Sequence, residues 1–71
     1  MRMSELKLNE LGVIAQIEES PVRKKLMEMG CIPGARVQLV LVAPFGDPKA
    51  YDIEGYRLSL RENEARTVIL E

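Results

Sequence analysis

The glycines of this chain do not cluster. They stand at Gly12, Gly30, Gly34, Gly46 and Gly55, and prolines at 21, 33, 44 and 48 fall between or beside them. Punctuation spread this way leaves room only for short elements joined by tight turns. Leu6, Leu8 and Leu11 predict a short turn ending at Gly12. Val13–Ile17, mostly β-branched or small, predicts a strand that stops at Glu18 and Glu19.

The clearest helix spans about residues 21–29. Ser20 suits an N-cap, and Pro21 suits the first helical position, where no N–H is needed. Gly30 supplies the left-handed stop. Between them Val22, Leu26 and Met29 fall at i, i+4 and i+7 and make one apolar stripe. Arg23, Lys24 and Met27 lie on the other side.

Pro33-Gly34 supplies the central residues of a type II turn. Arg36–Ala43 reads as the longest strand, with Val37, Leu39, Leu41 and Ala43 on one face. Val40 and Val42 make its second half apolar on both faces, so both are covered or one is a contact surface. Pro44-Phe45-Gly46-Asp47-Pro48 must be a loop, because its prolines break a ladder and Gly-Asp is turn chemistry. Ala50–Ile53 and Tyr56–Leu60 predict a hairpin about Glu54-Gly55. A two-residue loop pairs Tyr51 with Leu58 and Ile53 with Tyr56 on the inner face, and sets Asp52 opposite Arg57 outside. Glu54 suits positive φ poorly, which favours a longer loop. Glu62–Ala65 predicts one helical turn, and Thr67–Leu70 a last strand. Five strands and one main helix in this length predict a small, strongly bent antiparallel barrel, mainly β, whose closure hides its edges.

Seventy-one residues suffice for one domain, 1–71. A chain this short buries only about 60% of its unfolded surface, so a large cleft is excluded. Ten basic residues stand against eleven acidic ones, and only three residues are aromatic: Phe45, Tyr51 and Tyr56. Neither the cationic footprint nor the stacking platform of a nucleic-acid binder is present. The longest mostly apolar run, Leu39–Ala43, is far too short to span a bilayer, and the first residues lack the apolar stretch of a signal peptide. The lone Cys31 cannot form an intramolecular disulfide. A cytoplasmic protein with no direct membrane insertion is expected.

There is no histidine, the commonest acid–base group. Cys31 has no histidine to activate it, and the serines lack a nucleophile-elbow context. No catalysis and no cofactor are expected. Asp47, Asp52 and Glu54 are close in sequence and are the candidates for a hard cation; the competing reading is a turn aspartate, a cross-strand ion pair and a hairpin-tip glutamate. Cys31 reads as a small buried apolar residue.

Partner contact is the remaining chemistry. Met27 between Arg23 and Lys24 is either a single exposed apolar residue or an adaptable contact. Phe45 either tucks over the barrel end or stands out as an anchor. Arg23, Lys24, Met27, Phe45 and Asp47 are the candidate partner-binding residues. The apolar outer half of Arg36–Ala43 leaves self-association open.

Four blocks in this order and spacing resemble the FeoA family: Lys25-Leu26-Met27-Glu28-Met29-Gly30, Ile32-Pro33-Gly34, Ala43-Pro44-Phe45-Gly46-Asp47-Pro48 and Leu58-Ser59-Leu60-Arg61. The resemblance covers about Leu8 to Leu70. It implies an SH3-like barrel with an inserted helix. It also implies an accessory role in ferrous-iron uptake, with a FeoB-type membrane permease, which carries a G-protein domain, as partner. The alternative it implies is a small transition-metal-responsive domain, related to the C-terminal domain of iron-dependent repressors. The chain has no room for the DNA-binding domain of such a repressor. An SH3-like fold here does not imply binding of proline-rich peptides, whose grooves are lined with aromatics.

Overall fold

The computed structural model describes residues 1–71. A 3-10 turn at Met3–Glu5 precedes β1 (Leu11–Ile17), α1 (Arg23–Glu28), β2 (Arg36–Val42), β3 (Lys49–Ile53), β4 (Tyr56–Leu60), α2 (Glu62–Ala65) and β5 (Val68–Leu70). The strands form one antiparallel sheet in the order β4-β3-β2-β1-β5. Gly12 lies inside β1, so the strand begins earlier than its β-branched run, and the expected turn ending at Gly12 does not form.

Two irregularities bend the sheet. β1 pairs with β2 through Leu11, Gly12 and Val13, then passes to β5 through Ile14, Gln16 and Ile17, with a break in register at Ala15. A strand that changes partner at a bulge bends there. β2 has a second break, at Val40. That break corrects the expected alternation: Val37 and Leu39 are buried, but Leu41, beyond the bulge, is 60% exposed. β4 and β5 do not pair, so the barrel is not closed by a ladder. The outer edge of β5 is covered instead by the N-terminal residues, through a bridge from Arg2 to Ile69 and the bond from Leu70 N–H to Met1 O.

The core gathers residues from every element, among them Met3, Ile14, Leu26, Val37, Leu39, Tyr51, Ile53, Leu60, Ala65 and Val68. The β3–β4 hairpin has the expected register, including Asp52 opposite Arg57. Its loop is the two residues Glu54 and Gly55, both at positive φ, and not a longer one. Glu54 tolerates that conformation because its carboxylate accepts the Arg36 N–H at 2.7 Å and lies 3.7 Å from the Arg36 guanidinium. Tyr56 departs from the inner face: it is 76% exposed at the strand's first position.

A candidate docking surface on the helix and the proline loop

The helix α1 is shorter than its sequence signals. Its N-cap is Val22, not Ser20. Ser20 holds the preceding turn, where its Oγ accepts the Val22 N–H at 3.3 Å and its carbonyl accepts the Arg23 N–H at 3.2 Å. Pro21 sits in that turn and not in the helix. The stop is as expected. Gly30 has φ of 108°, its N–H bonds to Met27 O, and Cys31 N–H bonds back to Leu26 O. This pair of bonds is the Schellman closure, and its usual apolar contact is supplied by the buried Leu26 and Cys31. Burial pushes the Cys31 thiol up to about 11, as expected of an inert core residue.

The stop sets Ile32 where it cannot bury. Gly30 and Gly34 (φ 90°) bracket it, and the turn closes through Ala35 N–H to Ile32 O at 3.1 Å. Ile32 is 48% exposed and lines a broad open groove with Glu19, Ser20, Pro21, Arg23, Lys24, Met27 and Glu28. Three expected partner residues, Arg23, Lys24 and Met27, therefore do come together.

Their roles differ from the sequence reading. Met27 is half-buried and packs on the core while also lining the groove. Arg23 is half-buried, with its Nε donating to Ile17 O at 3.0 Å. Lys24 is exposed and has no acidic partner within 4 Å. Lys25 is engaged with Glu64 of α2 at 3.6 Å. Glu19 and Glu28 offset the two cations, so the groove is neutral as a whole, with an apolar strip of Met27 and Ile32. Sequence reasoning missed Ile32; the signal was an isoleucine held between two turn glycines.

The second group lies on the β2–β3 loop. Phe45 stands out from it, 99% exposed. The loop is held from within by Gly46 N–H to Ala43 O (2.8 Å) and Ala43 N–H to Pro48 O (3.1 Å), and its Asp47–Pro48 peptide is cis. Asp47 ties it to α2, where its Oδ1 accepts the Glu62 N–H at 2.9 Å. That bond satisfies one of the free N–H groups of a helix start. Burial pushes the Tyr51 phenol up to about 12, with the Glu62 and Asp47 charges adding to it, so the loop, α2 and Tyr51 lie together. Phe45 and Asp47 do not line the helix groove. Loop and helix are instead each fastened to α2, by Asp47 and by Lys25.

The three candidate cation ligands do not converge, and no group of three or more acidic, Cys or His side chains forms a metal cluster. Asp47 is bonded to α2, Asp52 pairs with Arg57 at 3.1 Å, and Glu54 is turned to Arg36. No helix is long and apolar enough to cross a membrane.

The model of the FeoA domain matches residues 1–71, the whole chain. The chain belongs to the FeoA family. It is 39% identical over 72 residues to a fusion of Fe(2+) transport protein A with the Fe(2+) transporter FeoB from Porphyromonas gingivalis. All of the chain is matched, yet it spans only 8% of that relative's length. Among solved structures, a FeoA-like protein from Clostridium acetobutylicum is 36% identical with a TM-score of 0.93, the match covering 100% of this chain and 84% of that one. FeoA from Stenotrophomonas maltophilia, a prokaryotic SH3 domain protein solved with zinc, is 28% identical with a TM-score of 0.90, covering 100% and 89%. FeoA is a family of ferrous-iron transport, and the mainly β, SH3-like fold expected from the sequence is the fold found. A manganese-dependent transcriptional repressor shares the fold alone, at 14% identity and a TM-score of 0.89 over 35% of its chain.

Proposed function

We propose that this FeoA domain is a non-enzymatic accessory module that docks on the cytoplasmic part of a FeoB-type permease and modulates or assembles it. The observation that carries this reading is the fusion, in which a relative matched along the whole of this chain is continuous with FeoB. Joining two modules in one chain raises their effective concentration to the millimolar range, which maintains a contact even of low affinity. The module would then lie at the inner face of the membrane, held there by the permease.

The docking surface is the Phe45 loop and the α1 groove. An aromatic left wholly in water on an internally bonded loop does nothing for this fold. Burying it in a partner is worth about 1.5–3 kcal/mol. The groove's strip of Met27 and Ile32 adds apolar area, and Lys24 and Arg23 orient an acidic partner edge.

Titration against the isolated cytoplasmic part of FeoB tests this. Phe45→Ala is expected to weaken binding about 10- to 100-fold with an unchanged melting temperature. Lys24→Glu is the helix variant of choice, because Met27 also packs on the core. Wild-type affinity in both variants would remove this surface, and no binding by the unaltered chain would remove the partner.

A further inference from the structure

The two surfaces fit each other. The β2–β3 loop presents a knob: Phe45, 99% exposed, with Asp47 two residues on. Asp47 gives one oxygen, Oδ1, to the Glu62 N–H and has no cation of its own chain within 4 Å, which leaves Oδ2 for a partner cation. Elsewhere the molecule presents a groove with an apolar wall, Ile32 and Met27, and a cation, Lys24, that has no acid of its own chain within 4 Å, although Glu19 and Glu28 also line the groove. Phe45 does not occupy this groove in its own chain, because it is wholly exposed. The groove's volume, about 610 Å³, leaves room for a phenyl ring.

We propose that copies of this chain associate head to tail, Phe45 of one seating against Ile32 and Met27 of the next, with Asp47 facing Lys24. Knob and groove are different patches, so the contact is heterologous. Each copy that uses its groove keeps a free knob, and chains grow unless the rotation closes a ring. One aromatic anchor and one charge pair make a small interface, with a dissociation constant on the order of 0.1–1 mM. The inference uses the same residues as the permease contact but does not rest on that partner. It is tested with this chain alone, so either idea can fail without the other. If both hold, self-association and permease docking exclude one another.

Sedimentation equilibrium up to about 1 mM reads the association. The unaltered chain should show an average mass that rises with concentration past that of a dimer, or levels at a closed ring. Phe45→Ala and Ile32→Asp, each with an unchanged circular dichroism spectrum, should each stay monomeric. Their equimolar mixture should recover dimers and nothing larger, because one copy has only an intact groove and the other only an intact knob. A strictly monomeric wild type at 1 mM overturns the proposal. So does a dimer retained in both variants, or a mixture that stays monomeric while the wild type associates.

Discussion

At the scale of single residues, two buried acids have a measurable signature. The Cys31 thiol is pushed up to about 11 and the Tyr51 phenol to about 12, chiefly by burial. In the unfolded chain both return to ordinary values of about 8.5 and 10. Above those values the unfolded chain has released protons that the folded chain still holds, so stability must fall as pH rises. The Cys31 part of the loss runs from about 9 to 11, and the Tyr51 part from about 10 to 12. The urea midpoint, measured from pH 8 to 11, should therefore decline above pH 9, and Cys31→Ala should flatten the first part of that decline. A midpoint in Cys31→Ala with the full wild-type slope would contradict the assignment. Asp47 makes a different kind of prediction. Its bond to the Glu62 N–H acts as a helix cap supplied by a loop, so Asp47→Ala should cost about 1 kcal/mol in chemical denaturation. It should also loosen the loop that carries Phe45, read as faster amide exchange at Gly46. Phe45→Ala should do neither.

At the scale of elements, the Schellman closure of α1 shapes the groove. Gly30 at φ 108° permits the bonds to Leu26 and Met27 and turns Ile32 outward. Nothing lies within 4 Å of an added Cβ, so the cost of Gly30→Ala is conformational and not steric. It should be about 1 kcal/mol, seen as a lower denaturation midpoint with an unchanged fold. Gly12 is the opposite case. It sits in β1 at ordinary φ, and an added Cβ would approach Leu70 Cδ1 at 2.8 Å. Because Leu70 is buried in the core and can yield only by repacking, Gly12→Ala should cost about 1–3 kcal/mol, more than Gly30→Ala, and the reverse order would contradict both accounts.

These elements also mark what could be read from the chain. The helix stop, the type II turn at Pro33-Gly34, the hairpin register and α2 were all predictable, because each depends on residues within a few positions of one another. The structure departs from the sequence pattern where packing and register decide. Ser20 has the chemistry of a helix cap, but its Oγ and carbonyl close the turn before the helix by accepting the Val22 and Arg23 N–H groups. Strict alternation puts Leu41 on the inner face, and the bulge at Val40 turns it outward. Helical spacing sets Met27 opposite the apolar stripe, whereas in α1 it is shared between core and groove. For the site, Arg23, Lys24 and Met27 line one groove, as their positions on a single helix turn imply. Their separation from Phe45, the offsetting Glu19 and Glu28, and the role of Ile32 depend on the tertiary fold.

At the scale of the whole molecule, a small core leaves function to the surface. The side chains available for chemistry are engaged in folding: Cys31 in the core, Asp47 on α2, Asp52 with Arg57, Glu54 with Arg36. Phe45, Ile32 and Lys24 are among the side chains the fold leaves exposed, beside Leu11, Leu41 and Tyr56. The proposed docking on a FeoB-type permease, whose support is the fusion in a relative, would use Phe45, Ile32 and Lys24. The most direct measurement is amide chemical-shift mapping of this chain as the cytoplasmic part of FeoB is added. The account predicts saturable changes at residues 43–48 and along residues 19–32, with the outer faces of β3 and β4 unmoved. Saturable changes confined to β3 and β4, or none at millimolar partner, would contradict it.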